Sequence, residues 1–276
     1  MSSKTHTNTA RIRNLRRVIR AYYRKNKRQL PWRDTCCPYY ILVSEFMLQQ
    51  TQVERVMSKY QEIIVSFPDV QSLAHATPRA VLLLWQGLGY NRRALSLHHT
   101  AKIILESYHG VIPSSVNLLT QLPGIGKATA SAVVTFAFNI PSVFIETNIR
   151  RVFLHFFFQD REAISDREIL PLVAKAMDRK NPREWYYALM DYGAMLKKSE
   201  KNPNIRSLHY RKQKPFEGSD RQLRGQFLRA ILNKPDTTLA VFLKKTGNDP
   251  IRTRKIIEKL QEEGFIQKKG SRFPVP

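Results

Sequence analysis

The chain has 276 residues, of which 42% are apolar, 25% charged and 10% aromatic, as in an ordinary folded globular protein. This composition excludes a wholly disordered chain, a collagen-like fibre and a low-complexity tract, and no apolar run approaches the ~18 residues of a membrane-spanning helix. The two cysteines, Cys36 and Cys37, are neighbours. They therefore predict a reducing compartment rather than a disulfide scaffold, and they are too few for an iron–sulfur cluster.

The charge is strongly positive and unevenly distributed. Lys and Arg number 46 against 22 Asp and Glu, a net charge of +24. Residues 1–33 carry +11, residues 34–196 carry +1, and residues 197–276 carry +12. Two cationic ends around a near-neutral centre are typical of a protein that binds a polyanion. A solvated surface or an acidic lipid is the alternative, but arginines mixed with aromatic residues favour nucleic acid.

Helical periodicity runs through most of the chain. Residues 10–28 place apolar side chains at helical spacing with Arg and Lys on the other face. Residues 39–65 predict one long helix or two short ones, and four prolines divide the next 60 residues or so into short helices. Further helices are predicted over 127–138, 148–158, 166–179 and 183–197. No strand alternation appears before the last dozen residues, so the first 200 are predicted to be all-α.

The C-terminal part has a different pattern. Residues 198–217 are polar and cationic with two prolines, which indicates an extended linker. Three helices follow, predicted over 219–233, 239–245 and 250–263, and then an extended tail with a turn at Gly270. This is the order of elements in a winged helix-turn-helix, and a small helical capping subdomain is the alternative.

A glycine-rich turn interrupts the helices at residues 122–130, LPGIGKATA. Gly124 and Gly126 permit a positive φ and a close approach of the backbone to a ligand, and the amides before the next helix can form an anion nest. The segment resembles a helix-hairpin-helix motif, which grips a DNA phosphate. A glycine-rich interhelical turn without a ligand is the alternative.

Six short motifs occur in an order that strengthens this resemblance. They are LPWR at 30–33, SEFMLQQTQV at 44–53, LWQGLGYNRRA at 84–94, LPGIGKATA at 122–130, FIETNIRRV at 144–152 and ALMDYGAM at 188–195. Together they resemble the helix-hairpin-helix base-excision DNA glycosylases, and among these the adenine glycosylases that act on adenine opposite guanine or oxidised guanine. The resemblance covers roughly residues 28–197.

The resemblance implies an all-α, two-lobed glycosylase core, and the C-terminal pattern adds a small winged-helix-like module to it. The core is expected over residues 1–213. One lobe would be a six-helix lobe at about 35–135, and the second would combine 1–34 with 136–213. The basic module would occupy 214–276.

The resemblance also implies three catalytic residues. Glu45 matches the family acid that protonates N7 of adenine and can later activate water, and an apolar wall is expected to raise its pKa. Glu146 stands where the family has Asp, so it keeps the charge with one more methylene. We expect it to stabilise the cationic sugar or act as nucleophile, unless the change has blunted or redirected catalysis. Asn148 matches the Asn that supports the sugar and this carboxylate.

Further residues match family positions around the base and the DNA. The pocket rim is matched by Arg28, Leu30, Trp32 and Arg33, and Asp191 lies near the base or serves only its own helix. DNA contacts are expected from Gln49, Gln50, Tyr90, Gly124, Gly126 and Lys127. Bifunctional relatives carry a Schiff-base lysine at the position of Ala128, so a monofunctional enzyme is expected.

Two family parts are missing from this sequence. The segment after ALMDYGAM has no cysteine, so no iron–sulfur cluster, no other cofactor and no metal site are expected. The C-terminal domain that reads oxidised guanine is also missing, which leaves the opposite base open. The expected partner is duplex DNA with a mismatched or damaged pair, bound by a monomer away from membranes, in the bacterial cytoplasm at the nucleoid or in a eukaryotic nucleus. A thymine or uracil mismatch glycosylase, or a non-catalytic DNA-binding protein, are the alternatives.

Overall fold

The computed structural model describes residues 2–199, 202–213 and 215–276. Met1, Glu200, Lys201 and Lys214, which belong to the predicted core, linker and module, lie outside the described residues. The described parts contain fourteen α-helices, two 3-10 turns and no β-strand, so the all-α prediction is confirmed. None of these helices is long and apolar enough to cross a membrane.

The chain divides into two compact units whose boundaries differ from the lobes expected from the sequence. The first unit comprises residues 1–45 and 112–212, and the second comprises 46–111 and 213–276. Residues 112–135, expected with the six-helix lobe, belong to the first unit. The C-terminal module belongs to the second unit, together with the helices between residues 46 and 111.

The first unit is built around two helices, α9 and α11, which pack extensively on each other. Its helices are α1 (Ser2–Asn26), α2 (Pro38–Leu48, whose last three residues belong to the second unit), α7 (Val116–Leu119), α8 (Lys127–Phe138), α9 (Thr147–Phe157), α10 (Asp166–Ala176) and α11 (Pro182–Ser199). The 3-10 turns are Pro31–Arg33 and Pro203–Arg206. The amphipathic pattern of α1 buries Ile12, Leu15 and Ile19 in this core, as the periodicity predicts, and Tyr23 is buried with them.

The second unit contains the remaining helices. They are α3 (Val53–Ser66), α4 (Val70–His75), α5 (Pro78–Leu84), α6 (Arg92–Tyr108), α12 (Asp220–Asn233), α13 (Leu239–Thr246) and α14 (Pro250–Glu262). The break between α2 and α3 at residues 49–52 settles the open question over 39–65 in favour of two helices. Thr77 caps α5 with its side chain ahead of Pro78, which fits the preference of proline for the first helical turn.

The C-terminal module has its three helices in the predicted order. Phe227 of α12 lies edge-on to Phe242 at 5.0 Å and to Phe273 at 5.6 Å, so the tail covers the helical core. The tail turns back on itself through one bridge, Lys269 to Arg272, and a hydrogen bond from the Gln267 N–H to the Pro274 carbonyl at 2.9 Å. This pairing is shorter than the predicted hairpin, and the winged-helix class stays a prediction.

Candidate active site

Asp191 of α11 is almost completely buried and is held by two arginines. Arg28 donates to it from Nε at 2.5 Å and from its backbone N–H at 3.1 Å, and Arg33 donates from both Nη atoms at 2.9 Å. A buried carboxylate is costly unless it is paired and hydrogen-bonded, and four donors meet that need here. Asp191 therefore fixes the two arginines, a role that the sequence alone did not distinguish.

The side chains expected at the pocket rim divide into two groups. Leu30 and Trp32 are only about 5% exposed, so they form wall rather than rim. Arg28 keeps a third of its side chain exposed, whereas that of Arg33 is buried and lies 4.5 Å over the Tyr187 ring. A guanidinium held both by a carboxylate and by an aromatic face is fixed in position.

Glu45 lies near the end of α2, partly accessible but surrounded by protein. Loss of water around the carboxyl group raises its pKa to about 8, and the nearby Glu146 carboxylate acts in the same direction. The Arg33 guanidinium opposes them by favouring the charged form. Glu45 can therefore hold its proton at neutral pH, as the sequence predicts for this position.

Glu146 caps the N-terminus of α9 with its own side chain. Its Oε1 accepts from the backbone N–H groups of Asn148 at 2.8 Å and Ile149 at 3.0 Å, and its Oε2 accepts from the Asn148 amide at 3.2 Å. Burial raises the pKa of Glu146, while these hydrogen bonds and the nearby Arg151 oppose the rise by favouring its charged form. The cap accommodates the additional methylene, because the longer side chain folds back onto its own helix.

Two residues that sequence reasoning missed, Arg151 and Gly193, hold Asn148, which in turn binds the Glu146 carboxylate. Arg151, 3% exposed, donates from Nη1 to Asn148 Oδ1 at 2.7 Å and to the Gly193 carbonyl at 2.5 Å. Gly193 of α11 lies so close to α9 that a Cβ there would be 2.3 Å from the Asn148 carbonyl oxygen. Only glycine fits this contact. The spacing of Arg151 three residues after Asn148, on the same helix face, was the available signal.

The helix-hairpin-helix turn has one of the two expected positive φ angles. Gly124 adopts φ +77°, whereas Gly126 adopts an ordinary φ of −84° as the N-cap of α8, so the prediction for Gly126 was wrong on this point. Extended backbone is the usual conformation of an N-cap, and no atom lies within 4 Å of the place where a Gly126 Cβ would be. Lys127 and Ala128 follow as exposed residues in the first turn of α8.

The second unit holds two of the three segments expected to contact DNA, the loops around Gln50 and Tyr90. Gln50 and Tyr90 are exposed and both adopt positive φ, +52° and +46°, while Gln49 is partly buried. The buried side chain of Arg93 joins the two loops. It donates to the carbonyls of Phe46, Met47, Gln49, Leu88 and Gly89 and to the Thr51 hydroxyl. Sequence reasoning missed Arg93, because it stands among many cationic residues in a basic chain.

Comparison with known proteins shows which family this chain belongs to. The model of the HhH-GPD superfamily of base excision DNA repair proteins matches residues 43–175. An adenine DNA glycosylase of Mycobacterium tuberculosis (strain CDC 1551 / Oshkosh) is 33% identical over 229 residues, which is 75% of each chain. The chain belongs to the HhH-GPD superfamily.

Other relatives agree with this membership. An adenine DNA glycosylase of Buchnera aphidicola subsp. Baizongia pistaciae is 35% identical over 183 residues, 65% of this chain and 51% of the relative. The match thus spans about half of that relative's length. The solved structure of a thermostable thymine-DNA glycosylase superposes with a TM-score of 0.62 at 22% identity, covering 71% of this chain and 91% of that one, which shows a shared fold.

The superfamily resemblance raises the question of an iron–sulfur cluster, and the residues present do not fit one. Such a cluster needs four cysteine thiolates, and this sequence has only Cys36 and Cys37. In the described part of the chain, no group of three or more His, Cys, Asp or Glu side chains is placed to hold a metal ion.

Proposed function

We propose that this HhH-GPD protein is a monofunctional DNA glycosylase that removes adenine mispaired with guanine or oxidised guanine. The observation that carries the proposal is the pair of carboxyl groups in unlike surroundings. Burial raises the pKa of Glu45 to about 8. Burial raises the pKa of Glu146 as well, but there the backbone N–H groups of Asn148 and Ile149 and the arginines of α9 oppose the rise by favouring the ionised form. Two carboxyl groups whose surroundings differ in this way suit an acid and an anion in one reaction.

Protonated Glu45 is the general acid in this proposal. It transfers its proton to N7 of adenine, and the electron pair of the C1′–N9 bond leaves with the base. The sugar then carries an oxocarbenium charge at C1′. Water adds to C1′ and returns a proton to the Glu45 carboxylate, which leaves an abasic site and free adenine.

Glu146 supplies negative charge beside the sugar cation. Its carboxylate is held by Asn148 and by the backbone at the start of α9, so it needs little rearrangement as charge develops. Ala128 cannot form a Schiff base and Lys127 lies one residue away on the helix, which supports a monofunctional enzyme without strand cleavage.

Duplex DNA is the proposed partner, bound by a monomer. The chain carries a net charge of +24, and binding to phosphates scales with such cationic surface. Tyr90 and Gln50 project from loops held by Arg93, and planar side chains of this kind suit the gap left by a flipped nucleotide. Such a protein would act at the nucleoid of a bacterium or in a eukaryotic nucleus.

A single-turnover assay tests the proposal. Duplexes with adenine opposite oxidised guanine, adenine opposite guanine, thymine opposite guanine and uracil opposite guanine are incubated with excess protein and then treated with alkali. Cleavage of the adenine strand only after alkali is expected. Excision of thymine or uracil instead would identify the mismatch glycosylase alternative, and binding without excision would identify a non-catalytic DNA-binding protein.

A further inference from the structure

The segment 202–209 follows the ALMDYGAM motif, and it is hydrogen-bonded to the α9 region. The Ile164 N–H donates to the Arg206 carbonyl and the Leu208 N–H to the Ile164 carbonyl, both at 2.9 Å. The Asn204 amide donates to the Thr147 carbonyl at 3.0 Å, next to the Glu146 cap. The segment thus contacts both ends of α9, since Arg206 also donates to the Leu154 carbonyl.

One contact of this segment leads directly to the carboxylate. Asn202 Oδ1 accepts from Arg151 Nε at 3.0 Å. Arg151 donates in turn to Asn148 Oδ1 at 2.7 Å, and the Asn148 amide donates to Glu146 Oε2 at 3.2 Å. Each donor and acceptor in this series is of the right type, so the four side chains form a continuous hydrogen-bonded relay.

Because Arg151 is buried, its position depends on the acceptor that Asn202 supplies at the end of the relay. A buried guanidinium must have acceptors for its N–H groups, because an unpaired buried donor is costly. The structure gives Nε one acceptor, the Asn202 side chain, and gives Nη1 the Asn148 side chain and the Gly193 carbonyl. Without Asn202, the guanidinium would rotate to find another acceptor and would release Asn148.

We propose that Asn202 is a positioning residue for Glu146, acting through Arg151 and Asn148, so that an asparagine in this segment anchors the site in a chain that has too few cysteines for a cluster. The inference rests on the proposed function for its kinetic readout. Amide hydrogen exchange supplies a second readout that needs no activity.

Three substitutions of Asn202 distinguish a role in positioning Glu146 from a role only in capping the 3-10 turn. Asn202 Oδ1 also accepts from the Asn204 N–H at 3.3 Å, so it caps the 3-10 turn. Asn202→Asp keeps an acceptor for both partners, Asn202→Ser keeps a cap but is too short to reach Arg151, and Asn202→Leu removes both. Ile205→Ala in the same turn is the matched control, because the Ile205 side chain is about half exposed.

We expect the Leu and Ser variants to slow single-turnover excision by roughly 10- to 100-fold, because small displacements of catalytic groups have effects of that size. Duplex affinity should not change, and Asn202→Asp and Ile205→Ala should keep wild-type rates. A wild-type rate in Asn202→Ser would overturn the proposal in favour of capping alone. So would an Asp variant as slow as Leu, or a slower rate explained by the fraction unfolded in a thermal melt.

Amide hydrogen exchange of the peptide 144–152 is independent of catalysis. The Asn148 and Ile149 N–H groups bond to Glu146, so they should exchange faster in the Leu and Ser variants than in the Asp variant or the control. Equal exchange in all variants contradicts the relay. If wild-type protein excises none of the four bases, the proposed function fails while this exchange result still decides the role of Asn202.

Discussion

The carboxylate site of the first unit and the loops of the second unit that are expected to contact DNA each depend on a buried arginine, but the two arginines hold different kinds of group. In the first unit, the buried Arg151 donates to the side chains of Asn148 and Asn202 and to the Gly193 carbonyl. Asn148 and Glu146, at the other end of this hydrogen-bonded series, are partly buried. In the second unit, Arg93 is buried to hold backbone carbonyls, and the side chains that it presents, such as Gln50 and Tyr90, are exposed. Chemistry depends on a fixed electrostatic environment, whereas recognition depends on a stiff backbone that presents free side chains.

The largest effect should follow from changing Glu45, the proposed general acid. Glu45→Gln keeps the size of the side chain but has no proton to donate. Since general acid catalysis contributes about 10²- to 10⁴-fold, single-turnover excision should fall by that factor while duplex affinity stays near wild type. Gel-shift affinity and single-turnover rate are measured on the same duplex. A near-wild-type rate would mean that Glu45 is not the acid.

A methyl group at the contact between α9 and α11 should have the next largest effect. In Gly193→Ala the new Cβ would meet the Asn148 carbonyl oxygen at 2.3 Å, so α9 must move away from α11. A displacement of this kind at the Glu146 cap should reduce the excision rate by about 100-fold and lower the melting temperature. Ala194→Gly, at the next position of α11, is the control for helix propensity. Wild-type excision by Gly193→Ala would show that the close approach of the two helices has no role in catalysis.

In the second unit, the matching change removes an exposed ring. Tyr90→Ala should weaken binding to a mismatched duplex by about 1–3 kcal/mol, the contribution of one base–aromatic stack, with no change in melting temperature. Tyr90→Phe is the control, because it keeps the ring and removes only the hydroxyl, which accepts a hydrogen bond from Gln213 in the DNA-free protein. Equally weakened binding in the two variants would assign the effect to the hydroxyl rather than to stacking.

The pH dependence of the rate should come from the first unit. The folded protein raises the pKa of Glu45 to about 8, and the acid acts only in its protonated form. The single-turnover rate should therefore be steady near neutral pH and should fall about tenfold per pH unit above 8. The residual rate of Glu45→Gln should lack this fall. If the rate instead fell with a midpoint near the ordinary pKa of glutamate, burial would not raise the pKa of Glu45.

Sequence reasoning located the side chains that belong to motifs and missed those that act through burial. Glu45 and Tyr90 were found because they lie in strings that resemble a family, and the helices followed from apolar periodicity. Arg93 and Arg151 were missed, since in a chain with 46 cationic residues an arginine is first taken as a DNA contact. Their burial among hydrogen-bond acceptors is visible only in the folded structure. The additional methylene of Glu146 was evident from the sequence, whereas its folding back as a helix cap depended on backbone geometry.

The smallest predicted effect concerns the exposed face of α14 in the C-terminal module. Arg254 and Lys255 are exposed near the start of this helix, opposite its buried Ile256 and Ile257. The module is part of the second unit, and its Glu263 forms an ion pair with Arg92 at 2.9 Å. Arg92 follows Tyr90 by two residues in the chain. This ion pair is made at the C-terminal end of α14, and cationic side chains on an exposed helix face can bind phosphates.

Arg254→Gln with Lys255→Gln should therefore weaken duplex binding modestly and reduce the slope of log K against log salt by about 0.9 for each phosphate that the variant no longer neutralises. The saturating excision rate should not change, because neither residue belongs to the carboxylate site. Glu262→Gln on the same helix is the charge-opposite control and should not reduce the slope. The comparison is made with adenine opposite guanine and opposite oxidised guanine. Equally weakened binding to both duplexes would indicate that α14 binds phosphates. Weakened binding to only one duplex would mean that α14 reads the base opposite adenine. Recognition would then involve the C-terminal module as well as the loops held by Arg93.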